Sequence, residues 1–254
     1  MAAGLVSEKI YSLIGATVTS GPFSGKRCAV TGAGGSFGRA LLLQFHRQGG
    51  QLVALRHGNQ PLQLTDEDGE AIPVQTIGWQ VGEEEKLEPL FRELEILVIN
   101  HGINKLGARD RAAALESLEV NTISALRLLE LFMQSTPKQK NCREVWVNTS
   151  EAEVNPALSP LYEISKRALG QLLSLRSLDA PCTVRKLILG PFKSALNPYG
   201  FMQAPAVAAA VMNQALKGRK LIIVSPNPIT WILMPLTEWG RNLYYRRFTQ
   251  APDQ

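Results

Sequence analysis

Two side chains four residues apart, Tyr162 and Lys166, lie at the start of a stretch with the apolar periodicity of a helix. Residues at this spacing project from the same helix face. A tyrosine carries protons poorly at neutral pH because its reference pKa is about 10. An ammonium about 4 Å away, at an effective dielectric of about 20, favours the phenolate by roughly 4 kcal/mol, or about 3 pKa units. The pair therefore predicts a general acid and base whose pKa is about 7.

This spacing occurs by chance in many helices, so the prediction depends on other residues. A glycine-rich turn lies upstream, where an apolar run at residues 27–31 leads into Gly-x-x-Gly-x-x-Gly and then a helical stretch. Such glycines permit a tight turn and a close approach of the backbone to a pyrophosphate, and the helix N-terminus offers free N–H groups to the anion. The predicted dinucleotide-binding residues of this turn are Thr31, Gly32, Gly35, Ser36, Phe37 and Gly38.

The end of the second predicted strand indicates which dinucleotide binds. An acidic side chain there accepts hydrogen bonds from the ribose 2′-hydroxyl of NAD, but in this chain Leu55 is followed by Arg56 and His57. Arg56 can pair with a 2′-phosphate through charge-assisted bonds worth roughly 1.5 to 3 kcal/mol. We therefore expect NADP(H) to be preferred over NAD(H). The alternative is that Arg56 is a solvated charge at the end of a strand.

The elements that must position these residues alternate along the chain. Short apolar runs predict strands at residues 27–31, 51–55, 74–77, 96–100, 144–148, 183–189 and 221–224. Helical periodicity covers residues 38–48, 83–94, 111–134, 161–178 and 204–217. This alternation predicts an α/β fold, a single doubly wound parallel sheet (Rossmann fold) with helices on both faces. We expect a leader at residues 1–24, this domain at 25–228 and a tail at 229–254.

In their order along the chain these motifs resemble the short-chain dehydrogenase/reductase superfamily over roughly residues 25–225. The motifs that carry the resemblance are the turn at residues 31–38, Asn100-His101-Gly102, Asn121, Thr149-Ser150, Tyr162 with Lys166, and Gly190-Pro191-Phe192. The resemblance implies that Tyr162 exchanges a proton with the substrate oxygen, which Ser150 orients. It also implies that Lys166 holds the nicotinamide ribose and lowers the phenol pKa, while Asn121 supports a water-mediated proton path.

The resemblance extends the cofactor site beyond the glycine turn. The further cofactor-binding residues it implies are Arg56, His57, Gln80, Val81, Asn100, His101, Gly102, Tyr162, Lys166, Gly190, Pro191 and Phe192.

Several positions depart from the usual family pattern. Ser36 stands where the middle glycine of the turn is common, and Gly35 instead gives the spacing of extended and divergent members. His101 stands at an alanine position beside the adenosine half of the cofactor; a ligand or a proton carrier is the alternative. Gln80 and Val81 replace an Asp-Val pair, and Gln80 can hydrogen-bond an adenine edge.

The catalytic hydroxyl has two candidates. Thr149 precedes Tyr162 by the thirteen residues common in the family, and Ser150 precedes it by twelve. Either can donate a hydrogen bond to the substrate oxygen. We favour Ser150 because the strand-end motif Val-Asn-Thr-Ser aligns better and a loop tolerates a one-residue deletion.

The resemblance implies an NADP(H)-dependent oxidoreductase that interconverts a carbonyl and an alcohol on a small-molecule substrate. Two alternatives are an epimerase or dehydratase that acts on a nucleotide sugar, and a non-catalytic dinucleotide-sensing protein. The epimerase ranks lower, because about 60 residues after Gly190 leave little room for a larger substrate domain. The family resemblance also implies a homo-oligomer formed through the helices predicted at residues 111–134 and 161–178.

Composition and charge limit which other functions and cellular locations the sequence is compatible with. The 254 residues are 45% hydrophobic with a net charge of +5, and six Lys and Arg against two Asp and Glu place +4 of that charge from Lys217 onward. A nearly neutral main body argues against nucleic-acid binding. Three cysteines without a Cys-x-x-Cys pair, and histidines on separate elements, predict a reducing, cytoplasmic location and no metal site. The apolar, aromatic and basic tail packs on the domain or a partner subunit, or contacts a membrane surface.

Overall fold

The computed structural model describes residues 21–137 and 143–250. Its seven strands are β1 Arg27–Thr31, β2 Gln51–Arg56, β3 Val74–Gly78, β4 Ile96–Ile99, β5 Glu144–Asn148, β6 Thr183–Leu189 and β7 Leu221–Val224. They form one parallel sheet in the order β3-β2-β1-β4-β5-β6-β7. The predicted doubly wound parallel sheet is confirmed, and the predicted strands match within two residues at each end.

Within residues 21–137 and 143–250, seven α-helices cover the two faces of the sheet. They are α1 Ser36–Arg47, α2 Glu88–Phe91, α3 Arg111–Leu118, α4 Ser124–Gln134, α5 Pro160–Arg176, α6 Ala204–Leu216 and α7 Pro228–Phe248. Three short 3-10 segments lie at Glu84–Leu87, Glu151–Glu153 and Ser177–Asp179. The helix predicted over residues 111–134 is interrupted, because a π-helical turn at Glu119–Ile123 joins α3 to α4.

The core has one apolar layer on each face of the sheet. Parallel strands are covered on both faces and therefore read as continuous apolar runs rather than alternating ones. One layer joins α1 and α6 to the sheet around Phe45 and Trp146, and the other joins α2, α4 and α5 around Phe91 and Phe132. Phe23, within the predicted leader, is buried against Phe45 with ring centres 5.4 Å apart. Residues 1–20 of that leader lie outside the described residues.

The described cysteines differ in burial, and one of them tests a predicted core position. Cys28 is fully buried on β1, as its apolar surroundings predict, and burial raises the pKa of its thiol. Cys182 is half-buried and free, and Cys142 lies outside the described residues.

Helix α7 occupies most of the segment that the sequence predicts only as a tail, without a helix. It spans 21 residues despite Pro235 in its interior, a residue that removes one backbone hydrogen bond from a helix. Asn227 caps its N-terminus by accepting a hydrogen bond from Ile229 N at 3.0 Å. The helix packs on α5 and β7.

The inner side of α7 is held by two buried and two partly buried charges, which we call the charged cluster: Glu153 and Lys186 are buried, and Glu238 and Arg241 are partly buried. Lys186 Nζ donates to Glu238 Oε1 at 2.7 Å and lies 3.3 Å from Glu153 Oε2. Arg241 Nη1 donates to the same two carboxylates, at 2.6 Å to Glu153 Oε2 and 2.9 Å to Glu238 Oε1. Since Glu238 and Arg241 belong to α7, the cluster ties this helix to the domain.

In the described part of the chain, no helix is long and apolar enough to cross a membrane.

Candidate active site

The predicted site residues gather at the carboxyl edge of the sheet. Sheet order reverses at β1, which has β2 on one side and β4 on the other. In open α/β sheets ligands bind outside the carboxyl ends of the strands at such a switch point. The turns after β1, β4, β5 and β6 all open on this edge, so the fold brings together motifs that are up to about 160 residues apart.

The glycine turn after β1 has the backbone that close approach requires. Gly32 has φ +61°, and a Cβ added there would lie 3.0 Å from His101 Cα. A Cβ at Gly38 would lie 2.4 Å from the Gly32 carbonyl oxygen, so α1 packs against the turn without a side chain between them. The first turn of α1 carries no acidic residue, and its N-cap, Gly35, makes no side-chain cap. The free N–H groups and positive end of α1 therefore remain available to an anion.

The end of β2 places a cation beside this turn. A Cβ built on Gly34 would lie 4.0 Å from the Arg56 guanidinium carbon. Arg56 Nη1 also donates to the Gln60 carbonyl at 3.3 Å, which holds the side chain over the loop after β2. His57 is exposed beyond it, Gln80 is exposed after β3, and Val81 packs partly into the apolar core.

The loop after β6 crosses the glycine turn. Phe192 packs on Phe37 with ring centres 5.6 Å apart, and Ser36 Oγ donates to the Lys193 carbonyl at 3.4 Å. Phe37 is itself buried in the core, so this predicted cofactor residue acts on the turn through packing. Pro191 accepts hydrogen bonds from the backbone of Phe201 and Met202, which folds the loop back on itself.

His101 is fixed at both ring nitrogens. Its Nε2 lies 3.1 Å from Ser124 Oγ, which donates its own proton to Glu84 Oε1 at 2.6 Å, so Nε2 is the protonated nitrogen. Its Nδ1 therefore accepts from Thr31 Oγ1 at 3.0 Å. Burial, and then the charge of Lys166, lower the His101 pKa to about 3.

The same hydrogen-bonded chain joins two segments of the predicted cofactor site. Thr31 Oγ1 also accepts from the backbone N–H groups of Asn100 at 2.8 Å and His101 at 3.1 Å, so β1 is joined to the turn after β4. The ring is neutral at neutral pH with both nitrogens occupied, which argues against the proton-carrier and ligand alternatives for His101. Glu84 and Ser124 were not among the predicted residues, since neither lies in a motif.

Tyr162 and Lys166 lie on the first two turns of α5, with Lys166 Nζ 5.8 Å from the Tyr162 ring centre. Burial raises the pKa of the Tyr162 phenol, and a hydrogen bond with Ser150 opposes that change in part. The sequence prediction of a phenol pKa of about 7 is therefore wrong for this arrangement of the chain, because desolvation outweighs the neighbouring groups. Burial also lowers the Lys166 pKa to about 8, against a smaller rise caused by Glu153.

The two candidate hydroxyls after β5 point to different partners. Thr149 Oγ1 is buried and donates to the Leu187 carbonyl on β6 at 3.2 Å. Ser150 Oγ accepts from Ala152 N at 3.1 Å and hydrogen-bonds the Tyr162 phenol. Ser150 thus shares its surroundings with Tyr162, while Thr149 supports the sheet.

Asn121 lies at the centre of the π-helical turn between α3 and α4. Its Oδ1 accepts from Ile103 N at 2.8 Å, and its Nδ2 donates to the Ile103 carbonyl at 2.9 Å and to Ser165 Oγ at 3.0 Å. A Cβ added to Gly102 would lie 2.9 Å from Asn121 Oδ1 and 3.9 Å from Lys166 Nζ. Asn121, Gly102 and Lys166 therefore form one packed group, as π-turns at functional sites often provide.

Asn148, the last residue of β5, is a site residue that the motifs did not single out. Its carbonyl accepts from Lys166 Nζ at 3.0 Å, and its Nδ2 donates to Asn100 Oδ1 at 2.8 Å. Its Oδ1 is buried and has no hydrogen-bond partner in the structure. The available signal was a polar residue directly after the apolar run at residues 145–147, at the end of the strand.

The acidic and cysteine side chains give no sign of a metal centre in the described ranges. No group of three or more His, Cys, Asp and Glu residues within residues 21–137 and 143–250 is placed to hold a metal ion.

Comparison with known proteins adds to this geometry. The family model for short chain dehydrogenase matches residues 26–197. The monoglucosyldiacylglycerol epimerase of Synechocystis sp. (strain ATCC 27184 / PCC 6803 / Kazusa) is 50% identical over 228 residues, which are 89% of this chain and 55% of the epimerase. The chain thus spans about half the length of this curated relative.

Two solved structures have the same fold at low sequence identity. A short-chain dehydrogenase from Sphingobium yanoikuyae in complex with NADPH has a TM-score of 0.69 and 14% identity, covering 90% of this chain and 98% of that one. The bulky-bulky ketone specific alcohol dehydrogenase from Comamonas testosteroni has a TM-score of 0.69 and 17% identity, covering 90% and 97%.

Proposed function

The chain belongs to the short-chain dehydrogenase family and is an NAD(P)-dependent enzyme, and from this premise we propose that it epimerises one sugar carbon of a hexose linked to diacylglycerol. The observation that carries the proposal is the 50% identity, over 89% of this chain, to a monoglucosyldiacylglycerol epimerase. The residues for reversible oxidation of a secondary alcohol lie on the matched segment. Because this relative is an epimerase, we prefer epimerisation to the net carbonyl–alcohol interconversion that the sequence predicts. The substrate we propose is a lipid-linked hexose rather than a nucleotide sugar.

The residues at the carboxyl edge fit a nicotinamide dinucleotide. The uncapped end of α1, with no acidic residue in its first turn, suits the pyrophosphate. Lys166 and the unpartnered Oδ1 of Asn148 offer a donor and an acceptor to the nicotinamide ribose. Arg56, beside Gly34, offers a charge to a 2′-phosphate, so we propose NADP(H) over NAD(H). When bound, the cofactor supplies the hydride acceptor and donor for the substrate carbon.

The chain's own residues move the proton. In the first half-reaction the Tyr162 phenolate takes the proton of the sugar hydroxyl as the carbon loses its hydride, and a ketone forms. Ser150 is hydrogen-bonded to Tyr162, and once Tyr162 has taken the proton the Ser150 hydroxyl would be free to donate to the ketone oxygen. For the epimer to form, the ketone would have to present its opposite face to the bound cofactor, and Tyr162 would then return the proton to the substrate oxygen.

This reaction leaves the enzyme unchanged after each turnover. One hydride and one proton leave the sugar and both return, so neither electrons nor protons accumulate. Because burial raises the Tyr162 pKa, the phenolate has to form within the substrate complex, where Lys166 Nζ lies 5.8 Å from the ring centre, and the proton then stays within the site. A net oxidoreductase, in contrast, exchanges one proton with solvent in every turnover.

The test is to incubate the purified chain with glucosyl-diacylglycerol in detergent micelles and NADP+ or NAD+, and to identify the released sugars by chromatography. We expect an epimeric hexose without net accumulation of reduced cofactor. Tyr162→Phe should abolish the conversion, while Tyr245→Phe on the last turns of α7 serves as the matched control. Net cofactor reduction without an epimer would instead establish a dehydrogenase, and no conversion at all would reject the proposal.

The choice of Ser150 as the catalytic hydroxyl is tested in the same assay. Ser150→Ala should reduce turnover by about 10²–10³-fold, the usual loss for one donor to a developing oxyanion. Thr149→Ala should act mainly on stability, since its hydroxyl bonds a backbone carbonyl. An equal or greater loss of turnover at Thr149 would overturn the assignment.

A further inference from the structure

Helix α7 is amphipathic, but its mainly polar side faces the domain and its apolar side faces outward. Most surface helices pack the other way round, with the apolar side toward the core. Its inward positions are Thr230, Met234, Glu238 and Arg241, which follow one another at four- and three-residue spacing on one face. Of these, Met234 alone is apolar, and it packs with Ile188 and Ile223. The polar inward residues are matched by polar partners on the domain, so the apolar side of this helix is left on the outside.

The inward contacts make α7 an integral part of the domain. Besides the charged cluster, Ser174 Oγ on α5 lies 2.8 Å from Glu238 Oε2. At the other end of the helix, Asn155 Nδ2 donates to Thr230 Oγ1 at 2.8 Å. Because buried charges left without these partners are strongly destabilising, the helix has little freedom to turn its outer side inward.

The outer side of α7 is a continuous apolar and aromatic surface, which we call the α7 outer face. Trp239 and Phe248 are each 69% exposed, far more than a large apolar side chain in a packed core. Its exposed members are Ile229, Trp231, Ile232, Leu233, Leu236, Trp239, Leu243 and Tyr244, and the exposed Phe248 follows at the end of the helix. A contiguous apolar surface of this kind on a folded domain marks an interaction site.

The charges on the same helix identify the kind of partner. Glu238 is the one acidic residue of α7, and it is turned inward to Lys186 and Arg241. Arg246 and Arg247 are exposed at the C-terminal end. The outer face therefore combines apolar side chains, tryptophans and cations without a carboxylate. Tryptophan and arginine beside aliphatic residues are typical of helices that lie in the interface of an anionic membrane.

The outer face also begins beside the proposed active site. Trp231 Nε1 donates to the Ser225 carbonyl after β7 at 2.9 Å, and Thr230 contacts the segment between Ser150 and α5 through Asn155. Loops at this edge carry further exposed apolar residues, with Leu158 89% and Tyr199 84% exposed. The loop after β5 and the loop after β6 thus expose apolar side chains at the same edge of the sheet at which α7 begins.

We propose that the α7 outer face lies in the headgroup region of an anionic lipid bilayer and holds the carboxyl edge of the sheet toward the leaflet. The membrane part of this proposal rests on the geometry of α7, and the delivery of a lipid-linked hexose to the site rests on the proposed function. A lipid that carries its sugar at the bilayer surface is reached by an enzyme that stays on that surface. A second copy of the chain on this face is the competing outcome.

Co-sedimentation of the full chain with vesicles tests the docking. We expect binding to vesicles of phosphatidylcholine with phosphatidylglycerol, and weaker binding to phosphatidylcholine alone. The double substitution Leu236→Glu with Trp239→Glu should weaken binding at least tenfold, and Arg246→Glu with Arg247→Glu should remove the preference for anionic vesicles. Leu115→Glu, at a 57% exposed leucine on α3, is the matched control and should bind like wild type.

Tryptophan fluorescence with brominated lipids gives a readout on the wild-type chain itself, so the test does not depend on a variant that folds. We expect quenching by anionic vesicles that decreases in Trp239→Phe, since Trp79 and Trp146 are buried. Absence of wild-type binding and quenching overturns the proposal. So does a wild-type dimer that becomes monomeric in the Leu236 and Trp239 double variant without any vesicle binding.

Activity separates this proposal from the proposed function. The double variant should epimerise the lipid in detergent micelles like wild type and lose activity on the same lipid in vesicles. Equal loss in both would overturn the delivery role of the α7 outer face. Vesicle binding by a chain that epimerises neither form would leave the docking supported and reject the proposed function.

Discussion

The proposed active site at the carboxyl edge of the sheet and the charged cluster each contain a buried lysine, but the two lysines have different surroundings. The three N–H donors of Lys186 are shared among four acceptors: the carboxylates of Glu153 and Glu238, the Gly170 carbonyl at 2.7 Å and Ser174 Oγ at 2.9 Å. Lys166 is equally buried, yet among the described residues it donates one hydrogen bond, to the Asn148 carbonyl. A buried lysine with satisfied donors supports structure, whereas one with free donors is available to a ligand.

The Lys166 ammonium is also the group whose pKa is changed by its surroundings. Without a carboxylate in contact, burial lowers the Lys166 pKa to about 8. A perturbed group of this kind in a cleft is typical of functional sites. The comparison predicts that substitutions at the two lysines should separate activity from stability.

The largest expected effect is on activity at the proposed active site. Lys166→Met should reduce turnover by about 10²–10⁴-fold, the usual contribution of acid–base catalysis, which Lys166 supports through Tyr162 and the cofactor ribose. Its free energy of unfolding should stay the same or rise, because a buried charge is replaced by an apolar side chain of similar length. Steady-state kinetics and urea unfolding measure the two quantities.

The next effect is on stability at the charged cluster. Lys186→Met should lower the free energy of unfolding by about 3–5 kcal/mol, because Glu153 and Glu238 are left buried with less compensation. Turnover per folded molecule should be near that of wild type. Lys220→Met, at an exposed lysine, is the control. If Lys186→Met were as stable as this control, the structural role assigned to the cluster would be wrong.

The pH dependence of stability sharpens the comparison further. Between about pH 8 and the reference lysine pKa of about 10.4, the unfolded chain holds a proton on Lys166 that the folded chain has released. The free energy of unfolding therefore rises with pH in this window, by up to about 3 kcal/mol. We expect wild type to gain stability relative to Lys166→Met when unfolding is measured from pH 8 to pH 10. A constant difference between the two proteins would contradict the lowered pKa.

The smallest effect concerns a cation at the outer end of the carboxyl edge, beside the glycine turn. Arg56 is partly exposed, and its guanidinium lies beside the glycine turn rather than among carboxylates. Arg56→Ala should weaken NADPH binding by roughly 1.5 to 3 kcal/mol, about 10- to 100-fold, and change NADH binding little. Titration calorimetry with both cofactors checks this. An unchanged ratio of the two affinities would mean that Arg56 is only a solvated strand-end charge.

Much of the fold was predictable because parallel strands buried on both faces appear as short apolar runs. The predicted bounds of β1, β5, β6 and β7 match the structure residue for residue. Family membership is confirmed by the match over residues 26–197. The cytoplasmic location, the homo-oligomer and the preference for NADP(H) stay predictions.

Other features depended on contacts that a local pattern does not contain. The π-turn around Asn121 follows a sequence with ordinary helical periodicity, and α7 is interrupted by Pro235 and has its polar residues inside. The charged cluster joins Glu153, Lys186 and Glu238, which are separated by 33 and 52 residues. No spacing rule relates them, since their proximity follows from how β6, the 3-10 segment Glu151–Glu153 and α7 pack.

The amino-acid sequence by itself determined the parallel sheet, the glycine turn and the identity of the residues at the carboxyl edge, because each depends on local backbone preference and on apolar periodicity. The tertiary structure alone decided how those residues are tuned. Desolvation raises the Tyr162 pKa where sequence spacing predicted a fall, and it is the Ser150 hydroxyl that opposes the rise. Burial and long-range partners set these energies, and both exist only once distant segments have packed together.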